Sequence, residues 1–223
     1  MPAVVDTTQA TKVSRREQRK ITTRTDLLAA GRRLFSQKGL YESRIEDLTN
    51  SAGIAKGTLY QYFEDREDLI QAVVADGFHE LQRYVRLRVH GTGSADRLVR
   101  ELVEAHLDFL TENRDLMRIF HQVRGLLKFD QARWGRLRRA LVGHLDFLSR
   151  LMASPDAFPR AAARRRKLVA ALLFGSVSGF LSMQTSSDPK SLPQLDGPVV
   201  ADALTTLVLR AMSGPKPARE HPM

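Results

Sequence analysis

Between residues 56 and 63 the chain reads Lys56-Gly57-Thr58-Leu59-Tyr60-Gln61-Tyr62-Phe63. If this stretch is helical, Leu59 and Phe63, four apart, can anchor one face in a core. Lys56, Thr58, Tyr60, Gln61 and Tyr62 are then left to point elsewhere. Two outward tyrosines are wasted unless they touch something. A tyrosine hydroxyl bonds a phosphate oxygen, and its ring meets a sugar or a thymine methyl. Gly57, without a Cβ, permits close approach.

A reading helix of this kind must be held in place by its neighbours. A short helix is expected from Arg44, with Ser43 as its N-cap and Glu46 and Asp47 at its positive end. Ala52-Gly53-Ile54 makes a tight turn into the second short helix. A preceding helix, about Thr22 to Lys38, turns Leu27, Leu28, Gly31, Leu34 and Phe35 inward, and Gly39 is placed to end it. Asp65 caps a following helix that runs to about His90. Two short helices joined by a glycine turn and braced by a third make a helix-turn-helix. In that unit the second short helix lies in the DNA major groove and the first crosses the backbone.

The stretch resembles the DNA-binding domain of the TetR family of bacterial transcriptional repressors. The matching residues are Arg24, Leu27-Leu28, Ala30-Gly31, Leu34-Phe35 and Gly39, then Ile45-Glu46-Asp47-Leu48 and Ala52-Gly53-Ile54. They continue through 56–63 to Arg66-Glu67-Asp68-Leu69, covering about 47 of 223 residues. Three positions depart from the family pattern. Ser43-Arg44 stands where Thr-Thr is usual, Thr49 stands in place of Ala, and Tyr41 has no counterpart. The resemblance implies that Ser43 and Arg44 meet the DNA backbone. It implies that Lys56, Thr58 and Gln61 approach base edges or neighbouring phosphates. It gives Tyr60, Tyr62 and Arg66 the phosphates, with Tyr62 also able to pack against the first helix, and Gly57 the close approach.

Charge fits this only as a helper. The formal net charge is +10, but residues 45–75 hold 2 Lys/Arg against 6 Asp/Glu, a local −4. Those carboxylates sit near helix N-termini, where they favour the dipoles. The surplus lies instead in residues 1–44, at +6, and 76–223, at +8. Residues 1–20 read as a basic flexible arm that could touch phosphates, or as a solvated tail. The resemblance implies a DNA-binding domain over residues 21–70 and an effector-binding and dimerisation domain over 71–213, and 214–223 is expected to be a disordered tail.

The larger C-terminal part reads as helix throughout, so the fold class is all-α. It carries no nucleophile elbow and no phosphate-binding loop. There is no cysteine, and the six histidines lack paired metal spacing, so neither metal nor cofactor is expected. The longest run of apolar and small residues, Leu168 to Met183, has 16 residues, short of the ~18 of a membrane span. With no apolar leader at the start, a cytoplasmic location without membrane contact is expected.

By the same resemblance, the C-terminal part binds a small effector and pairs with a second copy. Candidate pocket residues are the aromatics Phe78, Phe120 and Trp134, with His106 and His144 as polar groups on apolar faces. A core histidine satisfied internally is the alternative for either. For the dimer interface, Gly175, Ser178, Gly179 and Ser182 let another helix approach, and Leu204, Leu207 and Val208 belong to a broad apolar face. The expected function is a ligand-responsive repressor, not an enzyme. It would bind a palindromic operator as a dimer and be released by a hydrophobic or anionic effector. The alternative is a helical-bundle ligand carrier or enzyme that does not bind DNA.

Overall fold

The computed structural model describes residues 14–90, 93–126, 133–153, 157–158, 162–186 and 196–213. Among them the chain forms nine α-helices and no strand. These are α1 (Arg15–Lys38), α2 (Ile45–Ala52), α3 (Lys56–Tyr60), α4 (Arg66–Arg88) and α5 (Ala95–Glu112). They continue as α6 (Arg114–Leu126), α7 (Gly135–Leu151), α8 (Ala163–Ser186) and α9 (Gly197–Ser213). The all-α expectation holds. The arm before residue 14, the segment 187–195 and the tail 214–223 lie outside the described residues.

Several boundaries follow from local chemistry. α1 starts at Arg15, seven residues before the sequence expectation. Ser14 and Glu17 form a reciprocal cap: the Glu17 N–H donates to Ser14 Oγ at 3.2 Å, and the Ser14 N–H to Glu17 Oε2 at 2.9 Å. Arg15, Arg16, Arg19 and Lys20 are therefore helical, and the arm cannot extend to residue 20. α2 is entered through Arg44, not Ser43; the Arg44 N–H donates to Asp47 Oδ2 at 3.2 Å. α2 ends at Gly53, whose φ of 64° is the left-handed turn that glycine adopts without strain. α3 stops at Tyr60 rather than Phe63, although the Phe63 N–H still reaches Leu59 O at 3.1 Å. Asp65 caps α4 and Ser94 caps α5, as their residue types suggest.

Packing builds one continuous core. Leu27 and Phe35 of α1, Leu48 of α2, Leu59 of α3 and Leu69 of α4 are all buried and hold the three-helix N-terminal unit together. α4 leaves that unit and packs on α5, α6 and α7. α5 lies centrally, against α4, α6, α8 and α9. α6 touches α1 as well as α4, α5 and α8, so it joins the two ends of the molecule.

α8 is apolar nearly all round. Among the described residues it is the one helix long and apolar enough to cross a membrane, with a best-window mean hydropathy of 1.3 over Ala163–Gln184. One of its sides packs on α5, α6, α7 and α9 through Val169, Leu173, Phe174, Val177 and Leu181. The other side, with Leu168, Leu172 and Met183, is exposed.

Candidate functional site

The N-terminal unit presents α3 outward. Leu59 and Phe63 are buried, whereas Lys56, Gly57, Tyr60 and Gln61 are exposed, and Thr58 and Tyr62 are half-buried. Tyr62 packs against the core, so it has less of its surface free than Tyr60. A Cβ added at Gly57 would meet nothing within 4 Å. The residue is thus not needed small by its own protein, and any steric demand on it must come from outside.

Two of the nine residues named from sequence are turned to internal work. Ser43 is 3% exposed, and its hydroxyl donates to the Gly39 carbonyl. It closes the loop between α1 and α2 and offers no free hydroxyl to a phosphate. Arg66 donates from Nε to the Ser43 carbonyl at 2.8 Å and pairs with Glu67 at 3.4 Å. It fastens the start of α4 to that loop, a positioning role rather than an open cation. Arg44, between them, is exposed. The burial of Ser43 follows from loop closure after Gly39, which residue type alone does not reveal.

Lys56 is exposed but engaged: its Nζ lies 2.5 Å from Glu46 Oε1. The hydrogen bond and charge of Glu46 raise the lysine's pKa, and Lys56 lowers that of Glu46 in return. Both are solvent-facing, so the pair is readily exchanged for another anion. The Lys38 hydrogen bond likewise holds Asp47 below its ordinary carboxyl value.

In the larger part, a narrow cavity of about 40 Å³ lies between α4, α5, α6, α7 and α8. Its walls are mostly apolar: Phe78, Leu110, Phe120, Leu137, Leu141 and Phe174 among them, with His121, Arg124 and Ser178 as polar members. The Phe78 and Phe120 rings stack at 4.6 Å. These two sequence candidates are therefore brought together at the cavity. Trp134 is not; it is buried at the N-cap of α7, before the turns that carry Leu137 and Leu141.

His106 and His144 do not line the cavity. They are buried and joined to each other, Nε2 to Nε2 at 3.2 Å, and His106 Nδ1 bonds Leu102 O at 2.6 Å. Burial pushes His106 down to about 4, and burial plus the neighbouring ring pushes His144 well below its ordinary value. Both ring nitrogens of His106 thus have partners within the protein.

Three of the proposed interface residues also face inward. Ser178 is buried at the cavity, and Ser182 is buried sharing a 2.7 Å hydrogen bond with His121 Nδ1. Val208 is 1% exposed inside the bundle. Small size on α8 thus serves contact with α6 as well as any outer contact. Gly175 and Gly179 have open space beyond their Cα atoms, Leu207 is half exposed, and Leu204 is partly buried.

α6 carries groups that residue type did not single out. Asp115 and Asn113, at its start, accept from Arg32 of α1, which also pairs with Glu80 of α4 at 2.9 Å. Burial pulls the Asp115 carboxyl up, but the Arg32 hydrogen bond and charge outweigh it and leave it below its ordinary value. Further along, Gln122 accepts from the Leu40 N–H at 2.7 Å. Between these grips the same helix presents Met117, Phe120 and His121 to the cavity, with Val123 and Arg124 beyond. At the start of α7, Arg133 and Arg136 pair with Glu67 and Asp68 of α4.

Comparison with known proteins agrees with this geometry. Residues 27–73 match the tetR family of bacterial regulatory proteins. The match spans the helix-turn-helix unit, which is similar to the DNA-binding domain of that family. It is 32% identical over 81 residues to the HTH-type transcriptional regulator UidR of Escherichia coli K12, covering 36% of this chain and 41% of that protein. It is 27% identical over 99 residues to the HTH-type transcriptional activator FasR of Mycolicibacterium smegmatis, covering 44% and 45%. The chain thus spans less than half the length of these curated relatives.

The fold extends the likeness beyond that domain. FadR of Bacillus subtilis, solved in complex with stearoyl-CoA, superposes with a TM-score of 0.68 at 16% identity, over 84% of this chain and 98% of that one. A tetR-family regulatory protein from Rhodococcus RHA1 gives 0.64 at 15% identity, over 85% and 96%.

Proposed function

We propose that the protein is a DNA-binding transcriptional regulator that works as a homodimer and responds to a small effector. The observation that carries the DNA part is the outer face of α3. Lys56, Gly57, Tyr60 and Gln61 are exposed together on a family-matched helix-turn-helix, and Gly57 has no internal neighbour that requires it. In this reading residues 21–70 read DNA, with Arg44, Thr58 and Tyr62 at the margins of the contact. Ser43 and Arg66 hold the frame. Residues 71–213 bind effector and dimerise. Repression is favoured, although an activator stands among the relatives. The cellular site would be the cytoplasm, and no catalytic role is assigned.

The outer stripes of α8 and α9 support the dimer. Leu168, Leu172, Gly175, Gly179 and Met183 recur at steps of four, three, four and four, beside Val199 and Leu207 of α9. An exposed apolar face of this kind stabilises a symmetric contact. Two reading heads then meet half-sites about one DNA turn apart, ~34–36 Å.

The cavity supports an apolar effector. Arg124 at its wall, and the acyl-CoA bound by a protein of the same fold, favour an anionic head on an apolar tail. At about 40 Å³ it would have to widen to take such a molecule. Widening would move α6, and α6 grips α1 through Asp115 and the loop after α1 through Gln122. A ligand that binds the widened state better than the closed one shifts the DNA-reading unit with it.

Footprinting of a duplex selected by the protein, with and without long-chain acyl-CoA, tests this. Protection of a two-fold repeat that weakens or strengthens on adding ligand supports it. Uniform, salt-sensitive binding with no ligand effect supports a carrier instead.

A further inference from the structure

We infer that the effector carries a neutral hydrogen-bond donor, a hydroxyl or an equivalent N–H, that is delivered to Nδ1 of His144. This rests on the reading of the cavity as the effector site and deepens it. Burial keeps both histidines neutral. The Leu102 carbonyl only accepts, so the proton of His106 is on Nδ1. His106 Nε2 is then an acceptor, and the 3.2 Å contact requires His144 to donate from its own Nε2. That fixes His144 Nδ1 as an acceptor. It is buried and has no hydrogen-bond partner among the described residues.

Its surroundings connect it to the cavity. His144 follows Leu137 and Leu141 on α7, at steps of four and three, so it shares the helix face that forms one wall. Its ring packs on Phe78 at 5.3 Å and Phe174 at 5.1 Å, two further wall residues. Phe78 and Phe174 touch both the imidazole and the cavity, so one of these rings must turn aside for a ligand's donor to reach Nδ1. A buried acceptor without a donor disfavours the empty state. A ligand that brings an O–H or N–H relieves this, whereas an ether or ester oxygen meets lone pair with lone pair. The chain of Leu102, His106 and His144 therefore leaves one buried acceptor behind the Phe78 and Phe174 wall, set by a single backbone carbonyl.

The test compares two isomers, 1-octanol and ethyl hexyl ether, which have the same atoms and differ in the donor. Binding is read by amide shifts and by thermal stabilisation of the full chain. The alcohol is expected to bind about ten-fold more tightly, the scale of one buried hydrogen bond. In His144→Phe that preference should vanish while the ether still binds. Imidazole ¹⁵N shifts of the wild type supply a second readout that needs no variant. They should show His106 protonated at Nδ1 and His144 at Nε2, with His144 Nδ1 moving on addition of the alcohol and not of the ether. Equal affinity for the isomers, a preference that survives in His144→Phe, or the opposite tautomers overturns the inference and leaves the effector cavity standing. Failure of both isomers to bind overturns the inference and the effector reading together.

Discussion

Gln122 Oε1 accepts the backbone N–H of Leu40 at 2.7 Å, which ties the middle of α6 to the loop that leads into α2. Leu40 is buried, so its N–H has no ready alternative in water. The side chain that makes this bond stands on a helix whose neighbouring turns line the cavity. Gln122→Ala should therefore lower stability by about 1–3 kcal/mol, the cost of an unpaired buried donor. It should also shrink the effect of ligand on DNA affinity while DNA binding itself persists. Chemical denaturation and DNA titration with and without ligand check the two halves separately.

The Lys56–Glu46 pair gives a second prediction. On DNA, Lys56 would exchange Glu46 for a phosphate, leaving a carboxylate close to the backbone. Glu46→Gln should tighten operator binding severalfold, since it removes both the competition and the repulsion. Lys56→Ala should weaken binding and lower the slope of log affinity against log salt by about 0.9, one phosphate contact. Titrations at three salt concentrations decide it. An unchanged slope in Lys56→Ala removes that residue from the contact.

The buried histidines give a pH dependence. The folded state holds His106 down to about 4, against an ordinary value of 6.5. Between these values the unfolded chain binds a proton that the folded chain refuses. Stability is thus fully present above pH 6.5 and falls as the pH drops toward 4. The loss from His106 alone should reach about 2 kcal/mol at pH 5, and His144 acts in the same direction. Urea unfolding at pH 7 and pH 5 should show this, with a smaller difference in His106→Gln.

The dimer claim is tested at Leu172. It is 42% exposed, so Leu172→Glu should leave the fold intact. Sedimentation should then show a single chain where the wild type shows two. A wild-type single chain at micromolar concentration contradicts the α8–α9 interface.

The helix-turn-helix was legible because its signals are local. Caps, a glycine turn and apolar spacing lie within a few residues of what they specify. The internal partners of Ser43 and Arg66 are not legible from residue type, because they are fixed by loop closure and by a contact 23 positions apart. The cavity was half legible. Phe78 and Phe120 stood out by type, and a stripe of Met117, Phe120, His121 and Arg124 on α6 carried a signal that helical spacing could have revealed. Phe174 carried none, because beyond its basic first turns α8 is apolar on nearly every side and periodicity cannot say which side faces inward. The same ambiguity hides from the sequence that Ser178 and Ser182 face inward.

Selection from a random duplex pool by the wild type and by Gly57→Ala decides whether α3 is the reading helix. The variant should fold at least as well, since alanine meets nothing within 4 Å and is the better helix former by up to about 1 kcal/mol. The wild type should enrich an inverted repeat with half-sites about one DNA turn apart. Gly57→Ala, with unchanged circular dichroism, should bind that repeat at least about ten-fold more weakly. No enriched sequence, or a repeat bound equally by both proteins, would contradict the assignment of α3 as the reading helix.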